Sequence, residues 1–244
     1  MLWSPNIGNG YPFLGSGFES NNPKATDTDP IKQANFQELN TDNVGASAGV
    51  ITNADDPYGP FYPGDEWVDW VGISVYNIQR NPTTRQTQPV TEDVFLRPNN
   101  AESLSGVDAI HNFYQRFVVD KNKPFILSET GSSYVSNQPG GTSIIPDTDP
   151  EAAELAVKES WWKAILATSA NPAFTGHWHA ATWFEEIKDE QSYDDANIYI
   201  TRDYRITQKE AIRSAFLRDT QAAGDRIKWS TDFKYTCAGT VSLV

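Results

Sequence analysis

Three short, apolar segments dominate what this chain can fold into: Trp67 to Tyr76 (WVDWVGISVY), Pro124 to Ser128 (PFILS) and Phe174 to Phe184 (FTGHWHAATWF). Each is rich in β-branched and aromatic residues, and the spacing predicts buried strands. Helical patterns separate them. Ser105 to Val119 places Val107, Ile110, Tyr114, Phe117 and Val118 on one helical face, with Lys121 to Pro124 stopping it. Asp149 caps the next helix with Pro150 at its first position; Val157, Trp161, Ala164 and Ile165 form its buried stripe, which ends near Asn171-Pro172. Thr207 to Glu210 reads as a capping box opening a last helix to about Asp219, with Ile212, Ala215 and Phe216 inward. Apolar strands alternating with helices are the pattern of a parallel β/α architecture. Met1 to Ser4 reads as the end of one more strand. From Ile7 to Pro63 the chain is rich in Gly, Pro, Asn and Asp and reads as long surface loop, with a short helix around Ile31 to Leu39.

Composition narrows the partners. The net charge is −13 and the basic residues are scattered, which disfavours nucleic acid and acidic membrane surfaces. No apolar run reaches the roughly 18 residues of a membrane span. Met1 to Pro5 lacks the basic start and apolar stretch of a secretory leader. The single cysteine, Cys237, excludes a disulfide within the chain and a Cys-based zinc site. Eight Trp, ten Tyr and twelve Phe supply a core; they are also the residues that stack on sugar faces.

In parallel β/α folds, chemistry gathers at the C-terminal ends of the strands. Here those ends offer Tyr76-Asn77, Glu129, and Trp183 with Glu185. A carboxylate, a phenol and an indole at neighbouring strand ends suit cleavage of a sugar: Glu129 attacks an anomeric carbon, Tyr76 hydrogen-bonds that carboxylate, and Trp183 stacks beneath the ring. The plainer readings stay open. Glu129 is equally a structural acid tied to a cation or to backbone N–H groups, and Tyr76 a core residue with a satisfied hydroxyl. His177 and His179 alternate as metal ligands sometimes do, but a structural role fits them better with no third ligand nearby. The run Glu185 to Glu190 reads as solvated loop.

Four segments together carry a family resemblance: WSPN (Trp3 to Asn6), DDPYGPFYPGDEWVDWVGISVYN (Asp55 to Asn77), KPFILSETG (Lys123 to Gly131) and RDYRIT (Arg202 to Thr207). In this order, over roughly residues 1 to 220, they resemble glycoside hydrolase family 26, which contains β-mannanases with some β-glucanases and xylanases. The resemblance implies a (β/α)8 TIM barrel of the retaining clan, with only strands five to eight and their helices in this chain, and residues 221 to 244 as a C-terminal tail. It implies Glu129 as nucleophile at the end of the seventh strand, Tyr76 as the phenol contacting it from the sixth, and Trp183 near the end of the eighth as a wall of the substrate subsite. A β-linked polysaccharide is the implied partner, mannan first, in an extracellular setting. No cofactor is implied, since retaining hydrolysis uses two carboxyl groups and water.

The family's acid/base Glu follows a His in the fourth strand, and this chain has no His-Glu pair. The sequence therefore reads as the C-terminal half of such a catalytic domain, with negligible polysaccharide hydrolysis expected of it alone. Glu185 and Asp69 are the nominal substitute acids, without support from their context. The rival expectation is a non-catalytic carbohydrate-binding remnant of the same fold. A rearranged but intact barrel is disfavoured, because Ala222 to Val244 is too short to supply four strands.

Overall fold

A computed structural model describes the chain except for residues 8–21, 43–47, 53, 78, 82, 98–111, 138–147, 192–198, 230–232, 236–240 and 244. Its centre is a parallel sheet of four strands in the order β1 (Leu2–Trp3), β2 (Trp70–Asn77), β3 (Phe125–Ser132) and β5 (Trp178–Trp183). The three predicted strands are present, side by side and parallel, and the segment at Met1 to Ser4 joins them as an edge. Their order in the sheet follows their order in the chain, so each crossover spans one strand spacing.

One face of this sheet is dry. Val71, Ile73, Val75, Phe125 and Leu127 are all fully buried, packed on Phe113, Phe117, Trp161 and Ala164. Each such side chain contributes about 1.5–3 kcal/mol of burial. Two helical elements supply the cover. The first is a π-helical turn, Tyr114–Val119, in which Tyr114, Phe117 and Val118 are buried as the periodicity requires; Val107 and Ile110 lie outside the described residues. The second is α2 (Pro150–Ala170). Its start follows the sequence signals: Asp149 accepts from the Ala152 N–H at 3.1 Å, and Pro150 occupies the first turn, where its missing N–H costs nothing. It ends at Asn171, as expected.

The opposite face is differently made. Leu2 is 47% exposed and Trp70 40%, and His179 and Thr182 are exposed on β5. Parallel sheets are ordinarily covered on both faces; among the described residues no helix packs on this one.

A second, antiparallel sheet of β4 (Tyr134–Asn137), β7 (Tyr199–Asp203) and β6 (Ile187–Gln191) grows from the C-terminal ends of β3 and β5. This sheet differs from the sequence expectation: Glu185 to Glu190, expected as solvated loop, runs into strand β6. α3 (Glu210–Ala222) then packs Ile212 and Ala215 against Trp162 of α2. It crosses the expected boundary at 220, and the tail beyond it includes the antiparallel pair β8 (Phe233–Tyr235) and β9 (Val241–Leu243).

Three expectations need correction. The capping box at Thr207 to Glu210 does not form, and Lys209 makes no side-chain cap. The Glu185 carboxylate takes the N–H groups of Ile206 and Thr207 at 2.9 Å each, together with the Thr207 hydroxyl, so the box loses its capping residue. The third strand begins at Trp178 rather than Phe174, because Asn171 to His177 is a turn in which the Asn171 carbonyl accepts from Phe174 and Thr175. The stretch from Ile7 to Pro63 is more ordered than loop where it is described. α1 (Pro30–Leu39) is capped by Asp29, Tyr58 enters the main core, and the fully buried Asp55 accepts from the backbone of Thr52 and Asp42.

Candidate functional site at the strand ends

β2 and β3 are adjacent and parallel, so their C-terminal ends bring Tyr76 and Glu129 to one place. The Tyr76 hydroxyl donates to the Glu129 carboxylate. Burial, reinforced by this bond to an anionic acceptor, pushes the Tyr76 phenol well above its ordinary range. It is therefore a fixed hydrogen-bond donor at any working pH. Two residues from the second and third of the four segments, 53 positions apart, thus meet in one interaction.

Their meeting depends on a β-bulge. Opposite β2, Ile73 pairs with Leu127 but Ser74 pairs with Glu129, which leaves Ser128 unpaired. Opposite β5 the same step appears, with Leu127 on Ala181 and Thr130 on Trp183. A bulge re-aims the side chains that follow it. Strict alternation from the buried Leu127 puts Ser128 on the open face and Glu129 back among the helices. With the extra residue both face the open side: Ser128 contacts Ser4 Oγ, and Glu129 reaches Tyr76. Thr130 then turns to the helix side, where it accepts from Trp161 Nε1 at 2.9 Å and donates to the Val75 carbonyl at 2.7 Å. That pair of bonds pins the backbone next to Glu129 in both directions.

Trp183 sits at the end of β5, but its ring packs against Trp162 of α2, 6.4 Å between centroids. Its indole N–H donates to the Tyr204 carbonyl at 2.8 Å. Part of its surface remains exposed. The nominal substitute acids are committed elsewhere. Glu185 ties the segment before α3 to β5, as described above. Asp69 precedes the first residue of β2, so about seven strand residues, roughly 20 Å or more, separate it from the end carrying Tyr76.

The two histidines have structural contacts: His177 Nδ1 lies 3.1 Å from the Lys123 carbonyl, and His179 packs edge-on against Trp70. Among the described residues no cluster of three or more His, Cys, Asp or Glu side chains is arranged to hold a metal, and no helix is long and apolar enough to cross a membrane. His111 and Cys237 lie outside the described residues.

Sequence reasoning missed the groups that surround the Tyr76 ring. Phe184 lies 5.9 Å and Tyr204 5.4 Å from it, both edge-on, and these two rings are 5.3 Å from each other. Tyr204 lies within RDYRIT, a segment whose family resemblance implies no role for it. Nothing in its local pattern marks it as a neighbour of Tyr76, 128 positions earlier.

Compared with known proteins, the chain matches no protein-family model and has no significant match among curated proteins.

Proposed function

We propose that this chain carries the nucleophile-bearing part of a retaining β-glycanase of the (β/α)8 barrel type, with Glu129 as the nucleophile. The observation that carries the reading is the Tyr76–Glu129 hydrogen bond at the C-terminal ends of two adjacent parallel strands. A nucleophilic carboxylate must be held in one orientation, and a buried phenol that stays protonated holds it by a fixed hydrogen bond. The neutral, hydroxyl-rich substrate class agrees with the strongly acidic chain, and mannan leads among β-linked polysaccharides on the resemblance in four sequence segments. The resemblance makes Trp183, at the end of β5, a wall of the sugar subsite.

Retaining hydrolysis needs a second carboxyl about 5–5.5 Å from the first. Glu185 is bound to backbone and Asp69 lies at the other end of β2, so neither nominal substitute is placed to serve, and the resemblance puts the acid/base on the fourth strand of the barrel. General acid assistance contributes about 10²–10⁴-fold, and a sugar hydroxyl leaves poorly without it. The chain alone therefore hydrolyses polysaccharide negligibly.

An activated 2-deoxy-2-fluoroglycosyl fluoride tests the assignment, because its leaving group needs no acid. Intact mass should rise by one fluoroglycosyl unit, peptide mapping should place it on Glu129, and Glu129→Gln should remain unlabelled. Labelling at another residue overturns the nucleophile assignment. Binding of polymer without any labelling supports the rival reading, a non-catalytic carbohydrate-binding remnant.

A further inference from the structure

Around the Tyr76–Glu129 pair runs a chain of contacts that returns to β3. The Tyr76 ring meets Tyr204 edge-on at 70°. The Tyr204 hydroxyl donates to Glu190 Oε2 at 3.3 Å, and Arg202 Nε engages that same oxygen at 2.9 Å. Arg202 Nη1 in turn donates to the Ser133 hydroxyl at 3.2 Å, four residues beyond Glu129 at the exit of β3. The second, antiparallel sheet contributes three of these groups: Glu190 from β6, Arg202 from β7, and Tyr204 just after β7.

Tyr204 is itself held from three sides. Its N–H donates to the Glu186 carbonyl at 2.9 Å, its carbonyl accepts from Trp183, and the residue is only 6% exposed. Gly131, two residues after Glu129, makes room for the ring. A Cβ there would stand 3.1 Å from Tyr204 Cδ1, tighter than an ordinary contact, while the Tyr76 ring would lie at an unstrained 3.5 Å. The glycine near the end of β3 thus has a specific task, the close approach of Tyr204.

We propose that Tyr204 is a positioning residue: its ring, wedged between Gly131, Phe184 and Tyr76, fixes the Tyr76 side chain so that its hydroxyl stays on Glu129. A phenol ring rotates about two torsions, and the hydrogen bond alone leaves the ring free to swing about the bond axis. Two perpendicular rings at 5.4 and 5.9 Å remove that freedom. The catalytic consequence rests on the assignment of Glu129 as nucleophile; the geometric claim does not.

The experiment uses the whole chain with ¹³Cζ-labelled tyrosine, the Tyr76 resonance being assigned by its loss in Tyr76→Phe. In the native chain Tyr76 should remain un-ionised through pH 11. Tyr204→Leu should bring its titration into the ordinary tyrosine range and slow fluorosugar labelling of Glu129 by roughly 10–100-fold, the scale of a small misplacement of a reacting group. Tyr204→Phe, which keeps the ring and removes only the hydroxyl, should restore both. Should Tyr204→Leu fail to fold, Gly131→Ala displaces the same ring from the other side and should reproduce the Tyr76 shift. An unmoved Tyr76 titration in the folded variant overturns the proposal, as does a Tyr204→Phe chain that behaves like Tyr204→Leu. If the native chain takes no label at all, the nucleophile assignment fails, and the Tyr76 titration still decides the positioning role.

Discussion

The two faces of the parallel sheet are built to different rules from the same strands. On β2, Val71, Ile73 and Val75 point into the helix layer and are fully buried, while Trp70 and Tyr76 point the other way and keep exposed surface. On β3, Phe125 and Leu127 face the helices, and Ser128 and Glu129 the open side. The helix-covered face is almost purely apolar where it meets the core; the open face carries a carboxylate, a phenol, serine hydroxyls and a histidine. Stability is concentrated on one side and chemistry on the other. Substitutions should therefore separate cleanly into those that unfold the chain and those that only change what it reacts with.

The sharpest way to break that division is Trp161→Ala. It removes a large, fully buried ring and also leaves the Thr130 hydroxyl without its donor. A loss of about 3–5 kcal/mol is expected, read as a shift of the denaturation midpoint in urea. A loss below about 1 kcal/mol would mean that α2 does not anchor the sheet.

An intermediate effect comes from the polar network that joins α2 to the second sheet. Lys158 is fully buried, donates to the Glu154 carboxylate and the Arg205 carbonyl at 2.6 Å each, and lies 3.7 Å from Asp203. Burial works against the charged form of Asp203, yet the Arg205 guanidinium and the Lys158 ammonium hold its carboxyl below the usual carboxylate range. A carboxyl depressed by folding stabilises the folded state above its unfolded value, near 4, and loses that contribution as pH falls through its lower folded value. Asp203→Asn should therefore cost about 1.5–3 kcal/mol near pH 7. Thermal melts from pH 7 to pH 2 should show the gap between the two chains closing below about pH 4. A gap that is constant with pH would show that Asp203 matters for shape and not for charge.

Trp70→Ser sharpens the comparison from the open side. Trp70 is 40% exposed and its described ring contact is with His179. Less than about 1 kcal/mol should be lost, with no change in fluorosugar labelling of Glu129, because Trp70 sits at the opposite end of β2 from Tyr76. A large loss measured by urea denaturation would show that the open face is buried in solution.

Much of the scaffold was legible beforehand for reasons that are local. The strands at Trp70, Phe125 and Trp178 announce themselves by β-branched and aromatic runs, and α2 by Asp149-Pro150 at its start and Asn171 at its end. The failures were also physical. Thr207 looked like a cap because the motif is defined within four residues, whereas its hydroxyl went to Glu185, 22 positions away. Strand β6 was hidden because its residues are charged; what makes it a strand is pairing with β7, including Ile187 on Asp203 and Gln191 on Tyr199. The Gly- and Asp-rich segment before Pro63 has no apolar periodicity because its order comes from carboxylates: the buried Asp55 on backbone N–H groups, and the half-buried Asp56 paired with Arg116 at 2.6 Å.

By itself the amino-acid order determined a parallel β/α sheet and an acid and a phenol at the ends of neighbouring strands, because strand length, helix caps and apolar runs are properties of adjacent residues. Where Glu129 points was decided only in the tertiary structure. A period of two sends it toward the helices, and no residue in KPFILSETG signals otherwise. The extra residue at Ser128 appears where β3 pairs at once with β2 and β5, and it turns Glu129 to the open face, where it meets Tyr76 and, behind it, Tyr204.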